Sequence, residues 1–128
     1  MADVLVVDDN EEIAGLIAEL MLQAGHQVRV AHDGAQGLSA LTDRLPDLVL
    51  LDVDMPILDG PGMAYRMLVE DCGRETLPIV LCSAAMNLRR IARRVGTPYA
   101  LEKPFDPDAL MDVTARALGE RTPPTPTL

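Results

Sequence analysis

Runs of apolar residues alternate with amphipathic stretches along the whole chain. Val4–Val7, inside Asp3–Val7, has no polar interruption and reads as a short buried strand. Asn10 then offers an N-cap, and Glu11 and Glu12 suit the first helical turn. Ile13, Leu16, Ile17, Leu20, Met21 and Ala24 recur at helical spacing, and Gly25 can close that helix. Val28–Ala31 reads as a weaker strand, and Gly34–Arg44 as a second helix with Leu38 and Leu41 facing inward. Pro46 and Asp47 punctuate the chain before a strand at Leu48–Leu51. A loop from Asp52 to Gly60 leads to a third helix near Pro61, where proline fits a first turn. Leu77–Cys82 is a fourth strand; Leu88, Ile91, Ala92 and Val95 mark a fourth helix that Gly96 ends. Tyr99–Leu101 is a fifth strand, placed at a sheet edge by Pro98. Asp106 and Pro107 open a fifth helix that runs to about Leu118.

Five continuous apolar strands alternating with five helices predict an α/β domain, a parallel sheet covered on both faces. Right-handed crossovers then gather the loops that follow the strands at one sheet edge. At that edge the sequence places Asp8 and Asp9, Asp52, Ser83, and Lys103 followed by Pro104. A carboxylate directly after a buried strand is costly unless compensated. Three of them meeting would repel, and a bound divalent cation is an economical remedy. Taken alone, Asp8 and Asp9 also fit a helix cap and its neighbour, Ser83 a strand-ending hydroxyl, and Lys103 a surface lysine.

Composition narrows the reading. A chain of 128 residues suits one domain, taken here as residues 1–119 with a flexible Pro/Thr-rich tail at 120–128. Aromatic residues are only 2%, so aliphatic side chains and Met must build the core. A net charge of −9 argues against nucleic acid as a partner. Cys72 and Cys82 lack metal or redox spacing and read as reduced, buried thiols. No apolar run approaches membrane-spanning length and no signal peptide is evident, so the expectation is a cytoplasmic chain with no membrane partner.

With these residues assembled, the chain resembles the receiver domain of two-component response regulators. The matching segments are VLVVDDNE, LVLLDVDMPILDG, IVLCSA and LEKPFDP, in order and each after a predicted strand. The resemblance covers about residues 3–119. It implies a flavodoxin-like, doubly wound (βα)5 fold with strand order 2-1-3-4-5. It implies Asp52 as phosphoacceptor, and Mg²⁺ (or Mn²⁺) held by Asp8, Asp9, Asp52 and the backbone carbonyl of Asp54. Ser83, Ala84 and Lys103 would meet the phosphoryl group, and the Lys103–Pro104 peptide would be cis. The phosphoryl donor would be a histidine kinase or histidine phosphotransfer protein, and an unknown downstream protein would read the result. No output domain is expected after the tail, so the reading is a stand-alone signalling domain rather than a turnover enzyme.

The match breaks in two places. The family's aromatic switch position, three before the lysine, is Ala100; Tyr99 is adjacent but should point to the opposite face. The segment from Ser83 to Gly96 is also about two residues short of the family pattern. Output is therefore expected to use the Ala84–Asn87 loop and the fourth helix. Arg89, Arg90, Arg93 and Arg94 crowd that helix. They read as a solvated face near Glu102 or Asp112, or as a partner surface, including a homodimer through the fourth helix, fifth strand and fifth helix. Two competing readings are a receiver-like adaptor that needs no phosphorylation and a haloacid dehalogenase-type phosphatase. The phosphatase reading rests on the Asp52-Val53-Asp54 spacing, but that family carries its motif after the first strand.

Overall fold

The computed structural model describes residues 2–53, 63, 77–84 and 88–124. Within them the order is β1 (Asp3–Val7), α1 (Glu11–Gln23), β2 (Gln27–Ala31), α2 (Gly34–Asp43), β3 (Leu48–Asp52), β4 (Ile79–Ser83), α3 (Leu88–Val95), β5 (Tyr99–Glu102) and α4 (Pro107–Glu120). The sequence-predicted third helix near Pro61 and the Asp52–Gly60 loop beyond Val53 lie outside the described residues. So do Asp54, Cys72 and Ala85–Asn87. The helices read from sequence as fourth and fifth are α3 and α4.

The five strands form one parallel sheet in the order β2-β1-β3-β4-β5, as the resemblance implies. Every residue of β3 and β4 is buried, which suits central strands sealed on both faces. β5 buries only alternate residues, and the edge position inferred from Pro98 is where it lies.

Strand alternation sorts the core into two layers. Leu5, Val7, Val49, Leu51, Ile79 and Leu81 face α2, Met63 and α3. Val4, Val6, Leu48, Leu50, Val80, Cys82, Tyr99 and Leu101 face α1 and α4. Fully burying each such aliphatic side chain is worth about 1.5–3 kcal/mol, so these two layers, built almost without aromatics, carry the fold.

Local chemistry fixes the helix ends. The Asn10 side chain accepts from the N–H groups of Glu12 and Ile13, Asp33 from Gln36, and Asp106 from Ala109. Gly25 and Gly96 follow α1 and α3 with φ of 92° and 81°, a left-handed turn that glycine adopts without Cβ strain. Replacing Asp106 with Ala is expected to lower stability by about 1 kcal/mol in urea denaturation, because the Ala109 N–H loses its acceptor.

Several boundaries shift by one or two residues from the sequence reading, and two of the shifts have a local cause. β4 begins at Ile79 rather than Leu77, since Pro78 has no N–H for a ladder, although its carbonyl accepts from Val49. α4 runs to Glu120 rather than Leu118, because its last turn is tied to Tyr99.

Candidate functional site

The residues at the C-terminal ends of β1, β3 and β5 converge through register and parity. Val4, Val6 and then Asp8 share one face of β1; Leu48, Leu50 and Asp52 share the same face of β3. Tyr99, Leu101 and then Lys103 continue it on β5. Three ionisable side chains thus meet just beyond the layer that packs on α1 and α4. Ser83 follows Ile79 and Leu81 and has the opposite parity. It is buried, and its carbonyl accepts from the Lys103 N–H at 2.9 Å.

Lys103 bridges two carboxylates. Its Nζ donates to Asp8 Oδ2 at 2.7 Å and to Asp52 Oδ1 at 3.1 Å. The shorter of the two contacts is to Asp8. The other oxygen of Asp8 accepts the Asn10 N–H at 2.9 Å, so Asp8 is held from both sides as α1 begins. Asp8 and Asp52 are buried, while Asp9 is exposed. The Lys103–Pro104 peptide is cis.

Burial pushes the Asp52 carboxyl up to about 6, and the negative charge of Asp8 adds to the rise; Lys103 pulls the other way but does not cancel it. Burial disfavours the charge on Lys103, yet the bonds and charges of Asp8 and Asp52 outweigh it and raise the ammonium above its ordinary value. Cys82 pairs in register with Asp52, and burial raises its thiol to about 12, which leaves it an inert core residue.

One ligand oxygen each from Asp8, Asp9 and Asp52 can be chosen so that all lie within 4.8 Å of one another. Three carboxylates against one ammonium leave two negative charges uncompensated, the charge of a single divalent cation. Closely set hard oxygen donors with one exposed member suit Mg²⁺, which keeps several waters and takes few carboxylates.

The departed switch position is also resolved. Ala100 is exposed, and Tyr99 is fully buried on the opposite face, against α4. The Tyr99 hydroxyl donates to Glu120 Oε1 at 2.9 Å and accepts from the Thr122 N–H at 3.3 Å. The Arg116 guanidinium lies 5.3 Å from its ring centroid. Tyr99 therefore fastens β5 to the end of α4, and nothing in its setting resembles a side chain free to swing. Pro124, within the segment predicted as a tail, is buried. Tyr99→Phe is expected to cost about 1 kcal/mol in thermal or urea unfolding, from the lost hydroxyl bonds.

Residues 4–115 match the sequence model of the response regulator receiver domain. Sporulation initiation phosphotransferase F of Bacillus subtilis is 34% identical over 117 residues, covering 90% of this chain and 92% of that protein. Protein PilH of Pseudomonas aeruginosa is 30% identical, with 87% and 93% covered. The nitrogen assimilation regulatory protein NtrX of Azorhizobium caulinodans is 32% identical over 91% of this chain, which spans only 26% of that longer protein. Among solved structures, the receiver domain of NtrX from Brucella abortus superposes with a TM-score of 0.82 at 36% identity, covering 91% of this chain and 98% of that one. Chemotaxis response regulator CheY4 of Vibrio cholerae gives 0.80 at 28% identity, covering 91% of this chain and 98% of that one. No described helix is long and apolar enough to cross a membrane.

Proposed function

Because the chain belongs to the response regulator receiver domain family, we propose that it accepts a phosphoryl group on Asp52 in a Mg²⁺-dependent reaction. The donor is a phosphohistidine of a kinase or phosphotransfer protein, and the output is a protein contact. The observation that carries this reading is the clustering of Asp8, Asp9 and Asp52 with Lys103 bridging two of them.

The ionised Asp52 carboxylate attacks phosphorus, a P–O bond forms, and the P–N bond to the donor imidazole breaks with its electron pair leaving on nitrogen. One anion approaches another, so charge neutralisation is the main requirement. Asp8, Asp9, Asp52 and the Asp54 carbonyl would hold Mg²⁺, whose bound charge offsets that of the phosphoryl oxygens. Lys103 supplies a second, fixed positive charge and turns from Asp52 to a phosphoryl oxygen once the carboxylate is phosphorylated. The Ser83 hydroxyl and the Ala84 N–H are the proposed further donors to that group. With its carboxyl near 6, Asp52 is mostly ionised at neutral pH and gains nucleophilic character as pH rises through that value.

Intact-mass measurement after incubation with acetyl phosphate tests the proposal. One phosphoryl adduct is expected with Mg²⁺ and none with chelator. Adduct formation without metal would contradict the metal's role. Asp54, two residues past the acceptor, is expected to set the phosphoryl lifetime. Asp54→Ala should change the dephosphorylation rate, and identical decay curves would remove it from the account.

A phosphorylation-independent adaptor is the second reading, favoured by the small exposed Ala100 and the fastened Tyr99. Binding of a downstream partner equally by Asp52→Asn and by the phosphorylated chain would favour it. The reader of the signal is another protein, or a second copy docking through α3, β5 and α4; sedimentation with and without acetyl phosphate separates these.

A further inference from the structure

α3 concentrates positive charge that the fold does not use. Arg89, Arg90, Arg93 and Arg94 are all exposed, on an eight-residue helix in a chain of net charge −9. They form two rows, Arg89 above Arg93 and Arg90 above Arg94, each an i,i+4 pair of like charge that works against the helix. Arg89 and Arg90 also stand in the first turn, where the helix dipole disfavours cations. Among the described residues none of the four makes an ion pair or a side-chain hydrogen bond. Glu102 and Asp112, the neutralising neighbours the sequence suggested, are not paired with them. By contrast Arg29, Arg44, Arg116 and Arg121 all find carboxylates.

We infer that the α3 arginines, with the adjoining exposed Ala100 on β5, form the docking surface for an acidic segment of a downstream protein. This rests on the signalling reading above and names the chemistry of its reader. Charge complementarity selects the occupant. A two-fold contact between copies centred on α3 would bring two such arginine clusters together, which disfavours a second copy there. An extended nucleic acid would meet the strongly acidic remainder of the domain as well as this short helix. An acidic polypeptide segment needs only the local patch. The small side chain at Ala100 leaves the flank of α3 open to it.

The test uses the full chain and a fluorescently labelled peptide rich in Glu and Ala, with a Gln-for-Glu peptide as control. Anisotropy is expected to show binding of the acidic peptide only, weakening as salt rises. A variant with Arg89, Arg90, Arg93 and Arg94 all replaced by Gln should bind at least about tenfold more weakly, since exposed charge pairs across an interface govern such steering. Among the described residues these exposed side chains make no ion pair or side-chain hydrogen bond, so its urea unfolding midpoint should be at or above that of the parent. Equal binding by parent and variant overturns the inference. Tighter binding of duplex DNA than of the peptide overturns it too, as does a dimer in sedimentation that the variant loses. Acetyl phosphate labelling of the same variant keeps the two claims apart. An adduct without peptide binding removes only this inference, whereas peptide binding without an adduct removes only the phosphoacceptor reading.

Discussion

Replacing Lys103 with Met is expected to destabilise the metal-free protein by about 3 kcal/mol, because removing one partner from a buried ion pair strands the charges that remain. Lys103 is the cation that holds Asp8 Oδ2 at 2.7 Å and Asp52 Oδ1 at 3.1 Å, and the side chains of all three are largely shielded from solvent. Without it, Asp8 and Asp52 face each other at the sheet edge with, among the described residues, only the Asn10 N–H in compensation. Uptake of a proton by Asp52, already shifted to about 6, limits the loss. The loss should therefore be larger at pH 8 than at pH 5. Urea denaturation at the two pH values in chelator checks this, and saturating Mg²⁺ should restore part of the difference. A change within about 0.5 kcal/mol at both pH values would mean that Lys103 behaves as a surface residue.

Asp52→Asn is expected to do the reverse. The folded-state carboxyl stands near 6, above the unfolded value of about 3.9. A group raised in the folded state contributes stability that is present below the unfolded value and lost as pH rises through the folded one. The parent thus loses stability between about pH 4 and pH 7, and the amide, which does not titrate, does not. Two pH units correspond to an upper limit of about 3 kcal/mol. Incomplete burial and a weaker bond to Lys103 bring the expected gain to about 1–2 kcal/mol at pH 8. Below pH 4 the two proteins should converge. Mg²⁺ should narrow the gap at pH 8, since a ligand that binds only the folded state stabilises it by mass action. A substitution that removes a nucleophile and raises stability is the signature of a carboxylate kept at a cost for its chemistry. A parent more stable than Asp52→Asn throughout the pH range would contradict this electrostatic account.

What could be read from sequence follows from which interactions are local. Strand runs such as Leu48–Leu51 and caps such as Asn10 and Asp106 depend on neighbours a few residues away, and they are found where the pattern puts them. The site follows from alternation carried to the end of β3 and one step past β1 and β5, which brings Asp8, Asp52 and Lys103 to one face. Lys103 bonding Asp8 more closely than Asp52 depends on how β1 and β5 flank β3 and β4, and no local pattern carries that. Tyr99 shows the same limit. Its direction away from Ala100 followed from strand parity, but its bonds to Glu120 and Thr122 join residues more than twenty positions apart. Those bonds explain why α4 outlasts its apolar pattern. Ala100, where the resemblance implies an aromatic, is small and exposed, and the neighbouring Tyr99 is committed to packing.

The central claim concerns which carboxylate is the acceptor, and peptide mapping after acetyl phosphate treatment tests it most directly. Borohydride reduces the acyl phosphate to an alcohol and marks the acceptor permanently. The account predicts the mark at Asp52 alone, dependent on Mg²⁺ and absent in Asp52→Asn. A mark on Asp8, Asp9 or Asp54 in the parent chain, or one that persists in Asp52→Asn at the parent's level, would contradict it.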